Sequence, residues 1–305
     1  MRGKIKLFMG IMLIALMASP VFAEDITIFD GWNDPASSNP WYKTKAENSD
    51  VEPGNVATQI WDLESFDLTG TTLSTVGGFD FVNGVKDPYY DQNFNPNYKN
   101  KDDFWWKLLN KYVEMTKIVQ AGDIFIDIDN NAKYGSNVGT ITYANSKTKD
   151  ALAEGKSAKI KNTFGWDFVI VPDFANMTYD VYQIDQNSIL WSPYYKTNLK
   201  ASPWTYAEGG TLVLGGQELV MLNPWKDGEG WHYGFEVDLG FLLDYGLDYE
   251  QLFLVHTTIE CGNDMMMGQG YFSEPPVHTP EPSTIILLGA GLVGLGLYTR
   301  KRFNA

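Results

Sequence analysis

The sequence predicts a mainly β protein: an antiparallel, jelly-roll-like β-sandwich with one short helix, framed by an N-terminal signal peptide and a C-terminal transmembrane helix. Three observations lead there. Short runs of alternating apolar and polar residues recur from Trp61 to Glu260, punctuated by Gly, Pro, Asn and Asp. Only one stretch between them has helical spacing, whereas a parallel sheet needs a crossover helix for every strand pair. Each end of the chain carries an apolar run beside a group of cations.

The first 23 residues read as a secretory signal. Arg2, Lys4 and Lys6 form a positive start, Leu7 to Met17 is apolar but too short for an ordinary span, and Pro20 breaks the helix. Val21-Phe22-Ala23 then offers small residues where signal peptidase reads, so cleavage is expected after Ala23.

Residues 24–275 are expected to form one β-sandwich domain. Its first part, 24–60, reads as an irregular leader, because 33–58 is rich in Asn, Pro, Ser, Lys and Glu. From Trp61, WDLESFDLTGTTLSTVGGFDFVNG alternates between Gly turns, and the polar stretch 86–103 reads as a loop. Asp102 is placed to cap a short helix in which Phe104, Trp105, Leu108, Leu109, Tyr112 and Val113 recur at helical spacing. AGDIFIDIDNN, YDVYQID, SILWSPYY, GGTLVLGG, ELVML, GWHYGFEVDLGFLL and EQLFLVHTTIE follow as strand-like runs.

The end of the chain has three parts. A linker, 276–283, holds Pro280-Glu281-Pro282, which cannot continue a helix. Residues 284–299 are uncharged and mostly apolar, and 300–305 form a basic tail with Arg300, Lys301 and Arg302. A helix of that apolar length spans about 24 Å, a little less than a hydrocarbon core of about 30 Å. Snorkelling arginines and local thinning of the bilayer cover the difference. The basic tail is expected to stay cytoplasmic.

Pro280-Glu281-Pro282-Ser283, the Gly-rich apolar stretch and the terminal Arg/Lys cluster together resemble the PEP-CTERM sorting signal. The resemblance implies a Gram-negative bacterial protein read by exosortase, an integral-membrane transpeptidase-like enzyme, and it implies an association with exopolysaccharide and biofilm. In the middle, VGGFDFVNG, GDIFIDIDNNAKYGS, YDVYQID, NLKASPWTYAEGGTLV and HTTIECGNDMMMGQG are similar to uncharacterised exosortase-dependent surface proteins, a likeness that implies no activity. The expectation is therefore a non-enzymatic exported protein, anchored at the inner membrane and then passed to the cell surface or matrix, with a structural or carbohydrate-binding role. Signal peptidase, exosortase and exopolysaccharide are the expected partners. Two alternatives are a secreted hydrolase of matrix polysaccharide and a permanently anchored periplasmic binding module.

Composition narrows the chemistry. With 23 Lys and Arg against 38 Asp and Glu the net charge is −15. Removing 1–23 and 283–305 takes away six cations and no acids, leaving −21 on the middle. Such a surface has no patch for phosphate backbones, which excludes nucleic acid as a partner. A lone Cys261 excludes an internal disulfide, and it reads as a buried, inert thiol.

Among candidate sites, Asp123, Asp127 and Asp129 share one strand face, and Asn131 follows in the turn. This is either a calcium corner, since hard cations collect oxygen ligands, or a hairpin turn with solvated carboxylates. It is not an EF-hand, because Ala132 and Val138 stand where the loop Gly and final Glu belong. No other cofactor is expected. His256 and Glu260 share a face, with His232 as a further histidine, and they read as either an acid–base or metal site or a structural network. Glu218 with Glu236 is a carboxylate pair of the kind glycoside hydrolysis uses, at a separation the sequence does not define. Trp191, Tyr194, Tyr195, Trp204, Tyr206 and Trp231 read as core or as sugar-stacking residues.

Overall fold

A computed structural model of the protein describes residues 23–30, 59–86, 118–145, 156–194, 196–274, 287–293, 295 and 299–300. The signal segment before Ala23, most of the expected leader, the expected helix around 102–113, Pro280 to Ser283, Lys301 and Arg302 lie outside these residues. The described strands are, in order, β1 (Glu24–Asp25), β2 (Thr27–Asp30), β3 (Leu63–Thr69), β4 (Thr72–Gly77), β5 (Val85–Lys86), β6 (Ile118–Val119), β7 (Ile124–Asp127), β8 (Lys159–Ile160) and β9 (Phe168–Asp173). They continue with β10 (Thr178–Gln183), β11 (Ile189–Trp191), β12 (Thr205–Glu208), β13 (Thr211–Glu218), β14 (Val220–Met221), β15 (Trp225–Lys226), β16 (Trp231–Asp238), β17 (Phe253–Thr258) and β18 (Met265–Gly270).

Every pairing among these strands is antiparallel. One sheet has the order β1-β3-β4-β16-β14, with β15 on β16; the second runs β13-β10-β9-β7-β17-β18-β2. Side chains from alternate positions fill the space between them. Phe66, Leu68, Leu73, Phe235 and Val237 of the first sheet meet Ile124, Ile126, Phe168, Ile170, Val181 and Phe253 of the second. Each such buried side chain contributes about 1.5–3 kcal/mol relative to exposure. The β3–β4 hairpin turns at Gly70, whose φ of +62° is left-handed and suits glycine.

The second sheet is covered on its other face as well. Phe125, Val169, Leu254, Met265 and Met267 pack there against Ile160, Leu190 and Trp166, partly under a small third sheet, β12-β11-β8. Strands β7 and β17 are consequently buried along their whole length, so the sandwich carries a third, smaller layer.

Two segments differ from the sequence expectation. Residues 24–30, expected within an irregular leader, form β1 and β2. The chain changes sheets at one residue, the buried Ile26, so each strand is too short to show a period. Ile26 donates its N–H to the carbonyl of Phe66 in the first sheet (2.8 Å) and accepts from Gln269 of the second (2.8 Å). Leu219 makes the same change of sheet between β13 and β14. The run GWHYGFEVDLGFLL is a strand only as far as Asp238, and Phe241–Asp244 is a helical turn, α1. Its adjacent Phe241 and Leu242 are both buried, which a strand exposed on one face does not allow.

Candidate functional site

The acidic turn grows out of the end of β7. Alternation sends Ile124 and Ile126 into the sandwich core and Asp123, Phe125 and Asp127 to the other face. Asp127 is buried, and its carboxylate caps the following turn: Oδ1 accepts from the N–H of Asp129 and Asn130 (2.9 Å each) and Oδ2 from Ala132 (2.7 Å). Asp167, just before β9, accepts from the N–H of Ile128 at 2.9 Å. Asn131 Nδ2 donates to Asp129 Oδ2 at 2.7 Å. Gly165 lies against this turn with φ +90°, and a side chain there would collide with Asn131.

Carboxylate oxygens of Asp127, Asp129 and Asp167 lie within 4.8 Å of one another. Burial pushes Asp127 up to about 6; backbone donors from Ala132 and Asp129 oppose this, while the Asp129 side chain and the charge of Asp167 add to it. Burial also raises Asp167, with the Ile128 N–H opposing and the charge of Asp129 adding. These three oxygens are the described groups that could hold a hard cation, with Asn131 tied to Asp129.

Asp123 is not among them. Four residues of strand separate it from Asp127, about 13 Å of rise, so a shared face does not mean a shared ion. Its carboxylate accepts from the hydroxyl of Thr205 and from the N–H of Tyr206 (2.6 Å). Burial pushes it up to about 7 against those two bonds. Asp167, which takes its place, lies 40 positions along the chain and carries no local pattern that connects it to the turn.

The histidines lie on different sheets. His256 of β17 is buried, stacked on Trp166 (centroids 5.4 Å apart), with Nε2 3.0 Å from the Pro203 carbonyl. Burial lowers it to about 4, more than its backbone partners raise it, so the ring is neutral. His232 of β16 faces outward from the first sheet, on the far side of the sandwich core. Its Nδ1 is 2.8 Å from Glu64 Oε2 and its Nε2 is 3.0 Å from Asp227 Oδ1. Gln59 donates to Glu64, and Trp225 stacks on the imidazole at 5.0 Å and 6°.

Burial works against the charge on His232, yet its bonds to Asp227 and Glu64 and their charges outweigh it and raise the ring. Burial raises Glu64, partly offset by His232 and Gln59. The His232 hydrogen bond is the main reason Asp227 is lowered to about 2. This is an acid–imidazole–acid clamp that joins β3, β16 and the β15–β16 turn. His232 and His256 do not converge, and Glu260 makes its contact elsewhere, at the N–H of Gln120 (3.4 Å). Cys261 is buried in the sandwich core.

Glu218 and Glu236 line the same cleft, of about 350 Å³, where the chain passes through Leu219 from β13, an edge strand of the second sheet, to β14, an edge strand of the first. Tyr179, Asp238 and Phe241 line it too, and Glu236 accepts from Ser74 Oγ at 3.1 Å. Among the aromatic candidates Tyr194 is fully buried, Trp231 is exposed, and Tyr206 stacks on Tyr182 at 4.4 Å.

The chain leaves the domain after Phe272, which is buried against Phe253. Beyond it, residues 287–293, 295 and 299–300 are helical, and Thr299 Oγ1 donates to the Leu295 carbonyl at 3.0 Å. Leu287, Leu288, Leu292, Val293 and Leu295 are all exposed. Among the described residues no helix is long and apolar enough to cross a membrane. The decisive comparison falls on this segment: residues 278–302 match the PEP-CTERM protein-sorting motif. The chain carries an exosortase sorting signal. The motif implies export, sorting at the membrane and processing by exosortase. The match is confined to the tail and does not reach the β domain. No curated protein and no solved structure matches the chain.

Proposed function

We propose that this chain is a non-enzymatic protein of the cell surface or extracellular matrix, with the β-sandwich as its working part and the tail as a temporary anchor. In this reading the domain has a structural or carbohydrate-binding role in exopolysaccharide or biofilm. Signal peptidase removes 1–23, the apolar helix holds the chain at the inner membrane, and exosortase cuts near Pro280–Pro282. The observation that carries it is the contrast at the C-terminus. The last described strand, β18, is paired on both sides inside the domain, while the described apolar residues of the sorting segment, Leu287, Leu288, Leu292, Val293 and Leu295, are exposed. Such a row of leucines needs an apolar medium outside the protein. Mass spectrometry of surface-released protein should show an N-terminus at Glu24 and loss of everything beyond about residue 282. A peptide containing Leu292 to Arg300 in that fraction would instead mark a permanent anchor.

The cleft that holds Glu218 and Glu236 favours one second reading, a secreted polysaccharide hydrolase. Release of reducing ends that disappears in Glu236→Gln would support it.

A further inference from the structure

The tryptophans of the β15–β16 ribbon contrast with those of the core. Trp225 is 41% exposed and Trp231 50%, whereas Trp61 and Trp166 are 3% and 2%. Leaving an indole in water forgoes the burial of a large apolar surface, so two on one hairpin call for a use. Register places them on opposite faces: Trp225 lies opposite His232, and Trp231 opposite Lys226.

Only one of the two has an open ring face on a fixed support. The inner face of Trp225 lies flat on His232, 6° from parallel. That imidazole is itself hydrogen-bonded at Nδ1 to Glu64 and has the Asp227 carboxylate 3.0 Å from Nε2. The indole is therefore fixed as a shelf, with its outer face toward solvent. Trp231 already has the Lys226 ammonium 5.9 Å from its ring centre. Beyond the shelf the turn carries Asp227 and Glu229, both exposed. Asp227 Oδ1 accepts from the N–H groups of Glu229 (2.8 Å) and Gly230 (3.3 Å), which fixes the turn.

We propose that Trp225 is the stacking platform of a binding site for a neutral polysaccharide, with Asp227 and Glu229 accepting hydrogen bonds from its hydroxyls. The proposal rests on the carbohydrate-binding form of the function above and adds the site and the charge class of the ligand. A sugar ring presents polarised C–H groups on one face, which suit the negative face of an indole, and hydroxyl donors at its rim, which suit carboxylates. The charge of −21 on the exported domain repels polyanions and leaves neutral chains as the fitting class. A protein partner fits less well. Interfaces centre on a desolvated apolar cluster, and here Lys226, Asp227, Gly228 and Glu229 are all exposed between the two indoles.

The test uses the full exported chain purified from its host, with dextran, mannan and hydroxyethylcellulose as neutral probes and alginate as the polyanion. Affinity electrophoresis and tryptophan fluorescence report binding. Retardation by at least one neutral polymer is expected, with none by alginate. Trp225→Ala should weaken binding at least tenfold, Trp225→Phe should keep most of it, and Trp231→Ala should leave it unchanged. Circular dichroism confirms that each variant folds. If the wild type binds and Trp225→Ala binds equally well, this site is overturned and the carbohydrate reading survives. Absence of binding to every neutral polymer overturns both, and tighter binding to alginate overturns the charge argument. Tail processing is read separately by mass and is untouched by these outcomes.

Discussion

Glu64 and Asp127 are both carboxylates held below the surface on the outer side of a sheet, each in a group of three polar side chains. Their surroundings differ in one respect. Glu64 shares its group with a basic ring whose charged form it favours, because His232 stands between it and Asp227. Asp127 shares its group with two more acids and is stabilised by backbone N–H groups alone. Burial raises Glu64 as it raises Asp127, but His232 and Gln59 pull Glu64 back, and the exposed Asp227 on the other side of the ring is lowered to about 2, against Asp127 raised to about 6. A protein with this much negative charge can set a basic ring beside a partly buried carboxylate, or cap the carboxylate with backbone donors in a turn. This chain does both, on opposite sides of one core.

The largest expected effect comes from removing the central ring. His232→Ala leaves the partly buried Glu64 without its partner, a cost toward the lower end of the about 3–5 kcal/mol of a fully buried pair, read as a drop in melting temperature. The pH profile identifies the cause. The raised pKa of His232 gives a contribution fully present below about 6.5 and lost as pH rises through the folded value. Asp127 acts in a lower window: its raised pKa makes stability fall between about 4 and about 6 as it ionises. Asp123, raised to about 7, adds to that fall and extends it past pH 6.5, while His256, lowered to about 4, contributes the opposite slope between about 4 and about 6.5. The diagnostic is therefore the difference between variants: in His232→Gln the fall above pH 6.5 should shrink to the part that Asp123 supplies, while the profile below it stays. A Gln variant with the full wild-type profile would show that the ring is not charged.

A smaller effect is expected from giving the second group the cation it lacks. Calcium shared by Asp127, Asp129 and Asp167 would relieve their repulsion, and at a hundredfold excess over its dissociation constant it stabilises by about 2.7 kcal/mol. Melting in millimolar calcium against chelator should show the gain. Asp167→Asn should abolish it, and Asp123→Asn should keep it. Identical wild-type curves in the two conditions would leave the turn as a backbone-capped loop with no ion.

The smallest effect sets the scale at the surface. Lys159 and Glu208 pair at 2.9 Å between β8 and β12, with the Glu side chain 62% exposed. Water screens such a pair, so Glu208→Gln should change stability by less than about 1 kcal/mol. A larger loss would mean that the third sheet depends on this contact.

These sites also show what a linear reading reaches. Alternation from Gly122 onward correctly separates Ile124 and Ile126 from Asp123 and Asp127, because the two-residue period assigns a face. It carries no distance along the face, so Asp123 joins a group that it is too far away to serve. Partners across strands are hidden for a related reason. Glu64 meets His232 across 168 positions, through the order β3-β4-β16, and that order is a property of the sheet. The hairpin at Gly70 is legible because its turn is local. The third layer is not, since a strand buried on both faces, such as β17, reads in sequence like any apolar run. The sorting tail is the most legible part of all, because a membrane-bound reader has to recognise it as linear sequence.

The double bond of Ile26 to both sheets sets an order of events during secretion. On the proposed route, with cleavage after Ala23, the start of the mature chain is exported before the rest, so Ile26 would be among the first mature residues to emerge. Phe66 follows soon after, but Gln269 is delivered only when nearly the whole domain is outside. The earliest segment out is thus the latest to be fully paired, and the barrier of such a long-range contact slows closure. At that moment the next part of the chain to arrive is the sorting tail. If the tail anchors the chain as proposed, a half-closed domain would stay at the membrane rather than meet others in solution. Such an anchor would double as a waiting place, where the first strand could find the last before the protein is let go.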